Sequence, residues 1–486
     1  MKKIRIFLFL LFIMVSAVIF QDHAPSVQHA MIAGAVIALC LLPSLLFFLS
    51  ADHSAIPFFQ ASCFYYVAFF GVPVFLSYVF WRHSNDVVLY SFHFEDHGAA
   101  FSLAALTLVF VSLSAYIGAF YGIRALVSRA SPTLKTLPFT ATNNDLVILA
   151  WGATLIHSGY YFFPEIQALP SIGQLAPPMG IFGFGIFIYL SCARTISVYH
   201  RILTLGVIYP IIILKILSHG FLTPVLTYVA VAFLALFYVR RRVPWKLMVA
   251  GAALLFVGYD SVYLYRALSW DMVSKPIYRN WSVTEKVGLF GAVLLHRTTG
   301  ISVVDIPKTV SEDALSPQKI MLRWRNRVSH ITVLSGTMEQ TPSDIPHWEG
   351  ESYRPLMGTL IPRIFWPDKP REEFGGTFGA RYWGTEKSTS VNLPWLVELY
   401  GNFGRWGMVL GMAFFGSLFA LLDRVLNNRG APPAQTMIGL AVLTPWVFPE
   451  SNFSVMVGGT PLLIIAMFAY VSIGVWALRV LRLKFG

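Results

Sequence analysis

Residues 202–246 read ILTLGVIYPIIILKILSHGFLTPVLTYVAVAFLALFYVRRRVPWK, two apolar runs back to back at 202–218 and 221–239, closed by Arg240, Arg241, Arg242 and Lys246. A helix crossing about 30 Å of hydrocarbon needs roughly 20 apolar residues, so each run is long enough to span a bilayer. The cations that follow belong on the cytoplasmic side, because loops facing the cytoplasm retain Lys and Arg. The same pattern recurs in both directions along the chain. Further apolar runs lie near 4–20, 29–50, 56–80, 99–123, 145–163, 179–198, 247–266, 406–423, 434–449 and 458–478. The run at 4–20, preceded by Lys2, Lys3 and Arg5, reads as a span rather than a cleaved leader, since Gln21-Asp22-His23 offers no small-residue cleavage site.

Whole-chain composition agrees. Of 486 residues, 56% are hydrophobic and 12% charged, with a mean hydropathy of +0.63, whereas soluble domains carry about 25% charged residues. These values exclude a cytosolic enzyme. The net charge of +12 is informative only once the charges are assigned to sides. Cys40, Cys63 and Cys192 all fall in apolar runs, which gives neither a disulfide framework nor a thiolate metal site. There is no internal repeat and no nucleotide-binding glycine pattern, and nothing points to a nucleic acid partner.

Assigning the cations to alternate connections is straightforward. Lys2/Lys3/Arg5, Arg124/Arg129/Lys135, Arg194/Arg201, Arg240/Arg241/Arg242/Lys246, Arg424/Arg429 and Arg479/Arg482/Lys484 all fall on one side; near the opposite short loops lie only Arg82 and Lys215. The rule that positive charge stays inside therefore predicts an all-α polytopic membrane protein of about 12 transmembrane helices, with both termini cytoplasmic. The expected organisation is a bundle of nine helices over 1–266, one large outward loop over 267–405, and three C-terminal helices over 406–486. Loops of this length are functional or disordered, and the Trp, Tyr, Phe and Pro here argue for order. Two amphipathic stretches punctuate the loop. One is Val287–Leu295, too short to span; the other is 318–328, where Arg323, Arg325 and Arg327 surround Trp324.

The most informative part of the loop is 358–407, GTLIPRIFWPDKPREEFGGTFGARYWGTEKSTSVNLPWLVELYGNFGRWG. Arg363, Lys369, Arg371, Arg381, Lys387 and Arg405 alternate here with aromatic residues, Trp366 and Tyr400 among them. Guanidinium groups grip phosphate oxygens in pairs, while aromatic faces cover apolar surface and tolerate a wet edge. Cation and aromatic together at a membrane surface suit a sugar carried on a lipid phosphate. The competing reading is a basic loop that anchors itself among headgroups.

Two segments of this stretch resemble a known pattern. Ile361-Pro-Arg-Ile-Phe-Trp-Pro-Asp-Lys-Pro370, followed by Leu396-Val-Glu-Leu-Tyr-Gly-Asn-Phe-Gly-Arg-Trp-Gly407, is similar to the PR…P-x-K-P and E-x-Y-x-N-F-G-x-x-G motifs of Wzy-type oligosaccharide repeat-unit polymerases, which build O-antigen and exopolysaccharide. The likeness is sharp over these residues, and elsewhere rests on the architecture of many spans with one large loop. It implies a GT-C-like fold in the bacterial inner membrane, with the large loop periplasmic. It implies, further, a glycosyltransferase that takes undecaprenyl-pyrophosphate-linked oligosaccharide as substrate, with the bilayer and a chain-length regulator protein as partners. No D-x-D is present and loop arginines are abundant, so the expectation is catalysis without metal or other cofactor. Arg363 and Lys369 would stabilise the leaving pyrophosphate, with Arg297, Arg381 and Arg405 as further phosphate contacts and Trp366 and Tyr400 as sugar-facing aromatics. Glu398 matches the motif carboxylate and is a candidate general base, or else a structural carboxylate held against Arg405 or Arg381. His296 is the alternative base.

Other clusters carry less. His93, Glu95, Asp96 and His97 (HFEDH) read as a polar turn rather than a metal site, and Glu349 and Glu351 as surface carboxylates. Asp260 and Lys215 lie near the outer ends of their runs, where snorkelling is cheap. An O-antigen ligase-like transferase would share the architecture, and only the PR…KP and E…NFG residues favour a polymerase over it. A lipid-linked oligosaccharide transporter or flippase would instead show two similar halves and deep ionisable groups, and the loop after the ninth run breaks such symmetry.

Overall fold

Apolar runs become helices because a backbone without water must satisfy its own hydrogen bonds. The computed structural model describes residues 27–49, 54–75, 87–89, 92–94, 102–130, 141–218, 220, 222–273, 283–299, 301, 327, 329–359, 361, 365, 366, 368, 374–385 and 391–485. In chain order the main elements are α1 (Val27–Leu49), α2 (Phe58–Phe75), β1 (Val87–Leu89), β2 (Phe92–Phe94), α3 (Leu103–Ala130), α4 (Asn143–Phe162), α5 (Ile172–Cys192) and α6 (Val198–Leu217). They continue as α7 (Leu222–Arg240), α8 (Trp245–Val273), α9 (Val283–Thr299), α10 (His330–Gln340), α11 (Phe374–Trp383), α12 (Trp395–Leu426), α13 (Pro433–Val447), α14 (Phe453–Val457) and α15 (Thr460–Phe485). The strands form a small antiparallel hairpin that pairs Val87 with Phe94.

Among the described residues, eight helices are long and apolar enough to cross a membrane: α1, α2, α3, α5, α6, α7, α12 and a segment, Phe453–Arg482, that takes in α14 and most of α15. The protein is therefore a helical, membrane-embedded chain. Helices α4 and α8 also stand where spans are expected, and α13, at 15 residues, is short for a crossing of about 20. The expected run at 4–20 lies outside the described residues. Stretch Val287–Leu295 sits inside the longer helix α9.

The chain divides into two compact units, 1–136 with 321–430 and 445–462, and 137–320 with 431–444 and 463–486. In the first, α12 lies along α3. Phe59 stacks on Phe120 at 3.5 Å between ring centroids and meets Phe419 edge-on at 5.6 Å, so three helices share one aromatic seam. At the seam's far end Asp423 accepts from Ser54 Oγ at 2.7 Å, and the Asn427 amide brackets Ile56.

In the second unit α4 opens with a capping box: Thr142 N–H donates to Asp145 at 2.8 Å and Asp145 N–H returns to Thr142 Oγ1, relieving two otherwise orphaned donors. Asp145 also pairs with Arg482. Deeper in, His157 bridges Ala176 O and Tyr228 Oη, and Tyr209 Oη donates to Gly180 O at 3.0 Å. These bonds join α4, α5, α6 and α7 through buried side chains.

Candidate functional site

The head of α12 is where the first unit gathers its loop residues. The helix runs to Phe403 and breaks at Gly404, whose φ of +68° and ψ of −158° belong to a region essentially reserved for glycine. The break falls close to 406, where the tenth apolar run begins, so nine residues of helix, Trp395–Phe403, precede it. In an unbroken helix the carbonyls of Gly401 and Asn402 would accept from Arg405 and Trp406. Here they receive the N–H groups of Trp348, at 2.9 Å, and Glu349, at 3.3 Å. The loop docks by completing the hydrogen bonding of a broken helix.

Each residue of the E-x-Y-G-N-F-G stretch has a part in that docking. Glu398 is fully buried; its Oε1 accepts from Ser352 Oγ at 2.6 Å and its Oε2 from the Phe453 N–H at 2.7 Å. Tyr400 Oη donates to Thr341 O at 3.1 Å. Gly401 lies against the Trp348 ring so closely that any Cβ would strike it. Asn402 Nδ2 donates to Ser352 Oγ and to Glu398 O, both at 2.8 Å. Phe403 stacks on Tyr353 with rings 5.9 Å apart and nearly parallel. Burial, and then the negative charge of Glu398, push the Tyr353 phenol well above its usual pKa. Ser454 Oγ closes the arrangement by donating to Ser352 O at 2.6 Å. One carboxylate thus ties together residues 352, 398 and 453.

Around this socket the wall is aromatic. Trp348 packs between Phe374 and Phe378 of α11 and donates from Nε1 to Tyr382 Oη at 3.2 Å, while Tyr382 Oη also bonds Thr341 Oγ1. Arg381, on the last turn of α11, pairs with Glu351 at 3.0 Å, both side chains partly exposed. Glu349 is exposed, as are Arg405 and Trp406 just past the helix break, and Phe365 and Trp366 on the preceding loop. The unit thus combines a buried polar anchor with exposed cations and indoles.

Of the residues singled out from the sequence, Glu398, Tyr400, Arg381, Arg405 and Trp366 belong to this unit. Arg363, Lys369, Arg371 and Lys387 lie outside the described residues. His296 and Arg297 sit on α9 in the other unit, where His296 Nδ1 is buried and meets no hydrogen-bond partner among the described residues. Of the HFEDH cluster, His93 is on β2 and Glu95, Asp96 and His97 are outside the described residues. No three His, Cys, Asp or Glu residues converge as a metal site among those described.

Sequence reasoning missed a second constellation in the first unit. Glu450 is nearly buried, at 7% exposure. Arg327 Nη2 donates to its Oε2 at 2.8 Å, while Arg327 Nη1 and Asn392 Nδ2 both reach Oε1. One turn on, His330 bonds Tyr65 Oη through Nδ1 at 2.8 Å and stacks on Phe69. Burial, aided by the Arg327 charge, holds its imidazole well below the usual pKa, so it is neutral at physiological pH. The available signal was a glutamate at the end of an apolar run, Pro449-Glu450-Ser451, which pattern reading treats as a loop boundary.

Comparison with protein-family models, with curated proteins and with solved structures found no match.

Proposed function

We propose that this chain is a membrane glycosyltransferase of the Wzy type, with about twelve spans in a GT-C-like arrangement. It polymerises undecaprenyl-pyrophosphate-linked repeat units at the periplasmic face of the bacterial inner membrane. The observation that carries the reading is the socket. The residues that match the polymerase motif, Glu398 to Gly404, are those that seat the aromatic segment Trp348–Tyr353 on the head of a candidate span. Arg381 and Arg405 belong to the same unit as that socket, which supports a role for cations beside the leaving pyrophosphate.

In the reaction, the bond between the anomeric carbon of the growing glycan and its pyrophosphate oxygen breaks, and the electron pair leaves with the pyrophosphate. A new bond forms from that carbon to a hydroxyl oxygen at the non-reducing end of the acceptor unit, and the hydroxyl proton passes to a base. Arg363 and Lys369 are assigned to the leaving pyrophosphate, with Arg381 and Arg405 as supporting cations. Charge developing on the leaving group is where fixed donors lower the barrier most. Glu398 and His296 are the base candidates, and the two hydrogen bonds on Glu398 favour an anchoring role for it.

The test is glycan phenotype combined with one substitution. A deletion strain is expected to lose polymer while a single repeat unit stays attached to its acceptor. Arg363→Lys keeps the charge but loses the planar fork, so polymer formation should fall by a factor on the order of a hundred to a thousand. Arg371→Ala should remain active at matched membrane abundance. Unattached polymer accumulating in the deletion strain would replace a polymerase with a ligase.

A further inference from the structure

The nine residues of helix before Gly404 do not prolong the crossing helix; they double back along it. A Cβ on Gly407 would strike Phe403, one on Gly411 would strike Leu399, and Trp395 meets Phe415 edge-on with ring centroids 5.0 Å apart. All three pairs are symmetric about residue 405, which is the register of an antiparallel hairpin turned at Gly404. A continuous helix would hold Leu399 and Gly411 about 18 Å apart. The second limb, 405–426, runs beside α3 in the same direction. A Cβ on Gly416 would strike the Tyr116 carbonyl, Phe419 faces Phe120 at 6.1 Å, and Asp423 faces Arg124 at 3.7 Å. Both helices are candidate spans, so position along them is depth in the membrane. Trp395, level with Phe415, stands eleven residues inside Gly404, about 16 Å.

Polar groups lie within the same depth. Phe448 packs on Tyr65 and Phe69 of α2 at 5.0 and 5.4 Å, and Tyr65 is one turn past Ser62, whose hydroxyl meets that of Tyr116. Glu450 follows Phe448 by two residues and is bonded by Arg327 and by Asn392, which lies just ahead of Trp395. Asn392 is exposed, and the Arg327 side chain is 26% exposed. Hydrocarbon offers an exposed amide or guanidinium no partner, and non-helical backbone persists at membrane depth only where protein or water covers it. The residues that α12 turns outward near this level are Leu410 and Phe414, 66% and 60% exposed, as a lipid-facing side requires. We infer that 391–403 is a re-entrant arm, and that a water-filled recess opening at the Gly404 end follows it down to Asn392 and Arg327. Such a recess admits water-soluble reactants to a depth that lipid otherwise closes, whether or not the protein is a polymerase.

Full-length protein in sealed liposomes provides the test, with a cationic, membrane-impermeant methanethiosulfonate supplied on both sides and labelling of Cys40, Cys63 and Cys192 subtracted. Asn392→Cys should react nearly as fast as Trp406→Cys, which stands exposed beside the turn. Leu410→Cys should react more slowly by a factor on the order of a hundred, because a charge is costly in hydrocarbon and only a thiolate attacks. Ser451→Cys, half-buried beside Glu450, should also outpace Leu410→Cys and repeats the measurement from a second segment. Should Asn392→Cys and Ser451→Cys react no faster than Leu410→Cys, the recess is wrong; should Leu410→Cys match Trp406→Cys, the depth is wrong. The fold-back has its own check. Oxidising the double variant Leu399→Cys with Gly411→Cys should close a disulfide, which needs Cα atoms within about 7 Å. Two free thiols remaining after oxidation would mean that the helix runs straight on.

Discussion

At Glu398 two functions compete for one carboxylate. A general base needs a free lone pair within reach of a substrate hydroxyl, whereas both oxygens here accept from the protein, one from Ser352 and one from the Phe453 N–H. Glu398→Ala strands both donors in a buried place, at about 1–3 kcal/mol each, so the melting temperature of the purified protein should drop and folded yield with it. Glu398→Gln keeps one acceptor and should lose less. Turnover per folded molecule, measured after correcting for abundance, should stay near wild type in Glu398→Gln; a well-folded, inactive Gln variant would restore the base. The spacing of Glu398, Tyr400, Asn402 and Gly404 was legible as a motif, but its partners were not. Ser352 is 46 positions away and Thr341 is 59, and no periodicity links residues so distant. Glu450 escaped notice for the same reason, since its partners Arg327 and Asn392 come from separate segments.

Helices follow from hydropathy, and their interruptions do not. Apolar runs at 29–50, 99–123 and 221–239 mark α1, α3 and α7 closely because length and composition decide a span. The extension of α12 back to Trp395 was not legible: Trp395–Phe403 is mixed in polarity, and its helicity depends on the loop that packs around it. Gly404 is the decisive position. Its backbone geometry costs a residue with a Cβ about 1–3 kcal/mol, and the added carbon would also meet His347 at 3.2 Å. Gly404→Ala should therefore either straighten the helix, releasing Trp348 and Glu349 from their carbonyls, or lower stability by that amount. Protease cleavage within 329–385, with the apolar helices intact, would register the first outcome and a thermal melt the second. Unchanged proteolysis together with an unchanged melt would mean that the break has no part in docking.

Across the whole chain, two divisions coexist because they reflect different forces. Partition by hydropathy and cation placement, into 1–266, 267–405 and 406–486, expresses which solvent each part prefers. Packing divides the chain into two interleaved units instead, with the first recruiting 321–430 and 445–462 to join 1–136. Burial links segments regardless of their order, so this grouping could not be read from the linear pattern. The side assignment remains open to direct measurement: reporter fusions after residues 130, 243 and 428 are expected to signal cytoplasm, and fusions near 170 and 340 periplasm. A cytoplasmic signal at 340 would invert the placement of the aromatic and basic segment and remove the polymerase reading with it.

The anchor at Glu398 also sets a clock for biosynthesis. Ser352, Glu398 and Ser454 complete one network, yet Ser454 is made 102 residues after Ser352. At ribosomal speeds of about 5–20 residues per second, roughly 5–20 s separate them. Over that interval Tyr353 is without Phe453, and the Glu398 carboxylate is without one of its two donors. The socket is complete only once Phe453, at the start of the last apolar segment, has been made and delivers its amide.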